Sequence, residues 1–209
     1  MHSETVVVGE FEANCLILWA EPGAAWVVDP GADHERIRHV LRARGLAVGL
    51  YFLTHGHIDH LSALDGLLRE WPAPVWLHAA EASWAFSAAN RIAPYLHVPR
   101  RPESLRTDLA EGLEIAAGGL TARVLHTPGH SPGSVCLHFD RENRLVTGDT
   151  LFAGSVGRTD LPGGRSRALR TSLDRLARLP ATCAVLPGHG PHTTIDQEIR
   201  TNPFLQGRS

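Results

Sequence analysis

The sequence predicts a single α/β domain in which two layers of strands pack face to face with helices outside them. Three observations lead there: short strand-like runs recur along the whole chain, helical spacings alternate with them, and each half repeats meander, then helix, then strand. The chain's 209 residues are enough for one sizeable core and hardly for two full domains, so residues 1–209 are read as one domain.

Strands are expected at 5–8, 14–19 and 25–29, punctuated by Glu21-Pro22-Gly23 and Asp29-Pro30-Gly31. Residues 34–44 carry Ile37, Val40 and Leu41 on one helical face and stop at Gly45. A buried strand at 50–53 follows, then a helix over 61–71 closed by Pro72, a strand at 75–77 and a helix over 79–89. From 90 to 111 the pattern fails; Pro94, Pro99 and Pro102 and the pair Arg100-Arg101 predict a connecting loop that crosses the surface beside the site. The second half is expected to hold strands at 113–116, 121–125, 134–139, 144–147 and 183–186, with helices over 166–178 and 195–200.

Twenty Lys+Arg against 22 Asp+Glu give a formal charge of -2, which steers the chain towards neither nucleic acid nor anionic membrane. A small-molecule substrate is the expected partner; the oligomeric state is left open. Every one of the basic residues is arginine, a compositional bias from which no function is drawn. No apolar run is long enough to cross a bilayer, and the first 13 residues lack the basic start and apolar core of a signal peptide. Cys15, Cys136 and Cys183 each fall in a strand-like run without Cys-x-x-Cys spacing, as expected of reduced, buried thiols in a cytoplasmic protein.

The segment Thr54-His55-Gly56-His57-Ile58-Asp59-His60 sets four ligand-type side chains into six residues directly after an apolar strand. A glycine turn makes them converge, which suits a divalent metal. Three more segments follow the same logic of strand, glycine turn and ligand. They are Thr127-Pro128-Gly129-His130, Gly148-Asp149-Thr150 and Pro187-Gly188-His189-Gly190.

In this order the motifs resemble the metallo-β-lactamase superfamily, which implies a four-layer αββα sandwich over nearly the entire chain. Gly148-Asp149-Thr150-Leu151-Phe152, the run Gly157-Arg158-Thr159-Asp160-Leu161-Pro162-Gly163-Gly164 and Asn202-Pro203-Phe204-Leu205 resemble, within it, the compact glyoxalase II-like hydrolases. The resemblance implies that His55, His57 and His130 bind a first metal and Asp59, His60 and His189 a second, with Asp149 bridging. Asp59 and Asp149 would then also be catalytic. Nitrogen and oxygen ligands without thiolate suit zinc first, with iron or manganese as alternatives. Asp29 matches a position common in the superfamily, either as a turn former or as a support for the ligands. His39, His78, His126 and His138 have no matching role and are read as ordinary residues.

The implied activity is hydrolysis of an S-acylglutathione, such as S-lactoylglutathione, or of a related small acyl thioester. Two divalent ions about 3.5–4 Å apart lower the pKa of a shared water towards about 7 and provide hydroxide for the attack. With a pKa of about 8.5, a thiol leaves as thiolate without a proton donor, whereas an amine needs one. Arg158 is expected to meet an anionic part of the substrate, with a surface pair to Asp160 as the bland alternative. The chain has Gly190-Pro191 where the longer glyoxalase II enzymes carry a tyrosine, and it lacks their C-terminal helical domain, so weak discrimination between thiol carriers is expected. A mononuclear-iron persulfide dioxygenase of the same fold is the rival reading, and a non-catalytic metal-binding module the second. A β-lactamase is disfavoured because enzymes with this first motif typically carry cysteine where this chain has Asp149.

Overall fold

In the computed structural model the described residues are 1–21, 23–91 and 96–206. Pro22 of the first expected turn and Pro94 of the 90–111 segment lie outside them. The first sheet consists of β1 (His2–Val8), β2 (Ala13–Trp19), β3 (Ala25–Val28), β4 (Val48–Phe52), β5 (Val75–Trp76) and β6 (Leu105–Arg106), in that spatial order. The meander β1-β2-β3 is antiparallel, and β3 through β6 run parallel. α1 (His34–Ala43), α2 (Leu64–Leu68) and α3 (Ala79–Ala82) fall in the connections between its parallel strands.

The second half builds β7 (Glu114–Ala117), β8 (Leu120–His126), β9 (Val135–Phe139) and β10 (Arg144–Gly148), then a two-stranded ribbon of β11 (Leu151–Phe152) and β12 (Ser155–Val156). α4 (Ser166–Leu176) crosses to β13 (Ala184–Pro187), which lies parallel to β10; β14 (Thr193–Thr194) and α5 (Ile195–Thr201) finish the chain. The second sheet has the order β14-β13-β10-β9-β8-β7.

Period-two alternation explains the layers. Along β2, Leu16 and Leu18 face the second sheet and join Trp26, Val28, Phe52, Val124, Leu137 and Phe139 in the central core. Cys15 and Ile17 face the other way and pack with Ile37 and Leu41 of α1 and Leu64 of α2. Beyond the second sheet, Cys136, Leu145 and Val185 pack against Leu169, Leu173 and Leu176, the buried stripe of α4. Helix, sheet, sheet, helix is thus the arrangement that two doubly covered sheets require, and it is the expected αββα sandwich.

Several expected elements come out shorter. The helix expected over 61–71 is regular only from Leu64 to Leu68, behind a 3₁₀ turn at Ile58–His60. Its start is taken by tertiary bonding, since Ala63 N–H donates to the Pro30 carbonyl. The helix expected over 79–89 gives way after Ala82, and a separate 3₁₀ turn covers Ala88–Asn90. There the Asn90 side chain donates to the carbonyls of Ala85 and Gly56, tying the segment to the histidine loop instead of extending the helix. The loop expected over 90–111 contains β6, and Cys183 lies just before β13 rather than in it, although all three cysteines are free and buried.

Candidate metal centre

The four ligand-bearing segments leave the C-terminal ends of β4, β8, β10 and β13 and meet where the sheets touch along one edge. There Val135 N–H donates to the Thr54 carbonyl, Asn14 N–H to the Gly188 carbonyl, and Ala13 bridges to His189. Gly188 is required by crowding: a Cβ there would lie 2.3 Å from Asp149 Oδ1. Gly148 has φ +46, and a Cβ would stand 2.3 Å from Thr54 Oγ1.

All seven residues expected at the site converge. Donor atoms of His55, His57 and His130 lie within 4.8 Å of one another, and so do those of Asp59, His60 and His189. Asp149 reaches both groups, with Oδ2 3.5 Å from His130 Nε2 and Oδ1 3.4 Å from His60 Nε2. His57 Nδ1 is 2.8 Å from His130 Nε2, and His60 Nε2 is 3.2 Å from His189 Nε2.

The surrounding bonds decide which nitrogen faces inward. His130 Nδ1 donates to the Arg158 carbonyl and His189 Nδ1 to the Phe11 carbonyl, leaving each Nε2 lone pair aimed at the centre. Asp29 Oδ2 accepts from His60 Nδ1 and from the Thr54 hydroxyl, while its Oδ1 accepts from Thr54 N–H. With its proton spent on Asp29, the Thr54 hydroxyl accepts from His55 Nδ1. Asp29 therefore orients the ligands from behind: both its oxygens are already bonded, although it falls within a third compact group with His55 and His60. It adopts a left-handed φ of +50 to do so.

Charge divides the centre. Burial, then His130, pushes the His57 pKa down to about 3, and burial with the neighbouring imidazoles holds His55 well below its ordinary value. Around His60 burial acts in the same direction, but the carboxylates of Asp149, Asp59 and Asp29 outweigh it and push the pKa up to about 10. Burial would raise the Asp59 carboxyl, yet His60 and His189 hold it below the usual carboxylate range. His55 Nε2 and Asp149 Oδ1 are buried with no hydrogen-bond partner, which is what a bound cation would satisfy. The cluster fits a dinuclear metal site.

Arg158 stands at the rim, where its guanidinium makes two 2.7 Å bonds to Asp160 and both side chains are exposed. Its contribution to the ligands is its carbonyl, which sequence reasoning had no means of reading. Glu81 was also missed. Fully buried, it accepts from Gly56 N–H at 2.9 Å and Gly133 N–H at 2.6 Å, clamping the first histidine loop to the His130 turn; burial raises its pKa. The only sequence signal was an acid among alanines, Ala79-Ala80-Glu81-Ala82. His78 and His126 stack with ring centroids 4.6 Å apart, outside the ligand set.

This fold and centre define a metal-binding α/β sandwich with its site at the edge shared by two sheets. Residues 8–189 match the metallo-beta-lactamase superfamily, and the chain belongs to it. Probable metallo-hydrolase YqgX of Bacillus subtilis is 37% identical over 97% of this chain and 96% of its own. Hydroxyacylglutathione hydrolase GloC of Haemophilus influenzae is 32% identical over the whole of both. Among solved structures, the B3 metallo-beta-lactamase BLEG-1 superposes with a TM-score of 0.90 at 35% identity, covering 99% of this chain and all of its own. TTHA1623 in a di-iron-bound form gives 0.87 at 38% (97% and 100% covered), and ETHE1 from Myxococcus xanthus gives 0.82 at 29% (100% and 86% covered).

Proposed function

We propose that the protein is a dinuclear metal-dependent thioester hydrolase of the glyoxalase II type, acting on an S-acylglutathione or a related small acyl thioester. The observation that carries this is the pair of three-donor groups joined through Asp149, with their lone pairs turned inward. His55, His57 and His130 would hold one ion and Asp59, His60 and His189 the other, with zinc the expected metal. Two divalent ions there would supply carbonyl polarisation and a water of lowered pKa.

The chain's own residues do the rest. Asp149 and Asp59 place negative charge inside the cleft, and the Asp29–Thr54 pair fixes the rings of His55 and His60. Phe11, Phe152, Val156 and Leu161 line a cleft of about 330 Å³ over the candidate ligands. Open space above the ligands is what a purely structural metal site has no use for. Among the described residues, the polar side chains lining this cleft are the expected ligands and Arg158, with no further proton donor, which favours a leaving group that departs as thiolate. GloC's name supports the same chemistry.

A second reading, a mononuclear-iron dioxygenase acting on a persulfide, has the ETHE1 likeness in its favour. Metal analysis of protein purified without added metal, joined to thiol-release, oxygen-uptake and β-lactam assays, separates these. Two ions per chain and thiol release without oxygen consumption are expected. One iron with oxygen uptake on a persulfide would establish the second reading. Cleavage of a β-lactam as fast as any thioester would displace both and align the chain with BLEG-1.

A further inference from the structure

On one side of the ligand cleft, sharing His57 and Leu161 with it, opens a separate cavity of about 380 Å³. Its walls are mainly apolar, formed by Ala80, Trp84, Ala89, Pro132, Leu161 and Pro162, with Asn90 and His57 the polar side chains among them. Trp84 packs on His57, ring centroids 5.4 Å apart, so the cavity reaches the ligands themselves. Sharing Val156 and Arg158 with the cleft lies a groove of about 660 Å³ whose floor is Leu169, Leu173 and Phe204 and which carries Arg167 and Arg170 of α4. Among the described residues, the centre is therefore flanked by a mainly apolar recess without a cationic side chain besides His57 and by a groove that carries arginines.

We infer that the apolar cavity is the acyl site of the enzyme, accommodating an alkyl or aryl acyl chain of about six carbons, while the arginine groove takes an anionic thiol carrier. The inference rests on the thioester reading above and narrows its substrate class. A lactoyl group is small and would leave most of these apolar walls uncovered, even where Asn90 and His57 offer it a polar contact. An apolar chain instead removes the walls from water, and each methylene contributes to binding. The opposite orientation would set the carboxylates of a carrier such as glutathione against Trp84 and Leu161 and leave Arg167 and Arg170 facing an alkyl chain.

Binding without turnover tests this independently of hydrolysis. S-hexylglutathione and S-methylglutathione are titrated calorimetrically against the metal-loaded protein, its Ala80→Trp and Ala89→Trp variants, and the double variant Arg167→Ala/Arg170→Ala. Ala80 and Ala89 are exposed, so added bulk fills the cavity and leaves the core alone. The hexyl compound is expected to bind at least about tenfold more tightly than the methyl compound. Either tryptophan should erase that preference, and the arginine double variant should weaken both compounds alike. Equal binding of the two compounds by wild type, or a preference unchanged in both tryptophan variants, overturns the acyl-site assignment; a double variant that binds normally overturns the carrier assignment. Hydrolysis of S-acetyl- and S-hexanoylglutathione is measured alongside. Absence of any cleavage with the hexyl preference intact would refute the thioesterase reading and leave the cavity assignment standing.

Discussion

Asp149 stands between two groups of donors, and Asp149→Asn weakens both at once. Metal content is expected to fall from two ions to one or none and kcat/KM by at least about 10²-fold, whereas the exposed, unassigned His39→Ala stays within about twofold. Undiminished metal content in Asp149→Asn would remove its bridging role. Arg158 poses a subtler question because Asp160 already holds its guanidinium. If Arg158 binds substrate, Arg158→Ala raises KM about fivefold with kcat nearly unchanged, and Asp160→Ala lowers KM by freeing the cation. A collapse of kcat with KM and metal content intact would show the assignment to be wrong. Glu81→Ala strands two buried N–H groups and is expected to destabilise the fold by about 3 kcal/mol in denaturant unfolding, with Glu81→Gln recovering part of it. An Ala variant as stable as wild type would mean that water replaces the carboxylate. The convergence of the seven candidate ligands was legible in the sequence because each sits in a glycine turn directly after a strand. Glu81, Thr54 and the carbonyls of Phe11 and Arg158 were not, since a single residue or a main-chain acceptor leaves no pattern.

Elements show the same divide between local and tertiary causes. β2, β9, α1 and α4 were legible because their apolar residues follow one period over several turns or pleats. The two-residue strands β5, β6, β11, β12 and β14 are too short to carry a period of their own; of these only β5 was read, as part of a longer apolar run. α2 and α3 lost their expected length to Pro30 and Asn90, partners that no spacing announces. The apolar cavity joins Trp84 to Leu161 from opposite halves of the chain, so it was out of reach of sequence reading. Packing between the sheets can be tested at Phe139, fully buried on β9 with its ring centroid 5.6 Å from that of Trp26. Phe139→Ala is expected to destabilise by about 3–5 kcal/mol. A loss below about 1 kcal/mol would show that the two sheets do not depend on this contact.

At the scale of the molecule, the centre fastens two sheets to each other, and no helix among the described residues is long and apolar enough to cross a membrane. Filling two sites at a hundredfold excess over Kd contributes about 2.7 kcal/mol each, so chelation should lower Tm by roughly 10–20 °C. Unchanged melting of demonstrably metal-free protein would mean that the ions do not hold the sheets together. The first sheet lies wholly within residues 2–106 and the second within 114–194. That division puts a clock on assembly. At roughly 5–20 residues per second, the ribosome delivers His55 several seconds before His189. The donors of the first group are all synthesised once His130 has emerged, whereas the second must wait for His189, whose ring is then steadied by the carbonyl of Phe11, made long before it. Translation thus presents the two halves of the centre in a fixed order, and the last candidate ligand to arrive is the one that ties the turn after β13 back to the loop before β2.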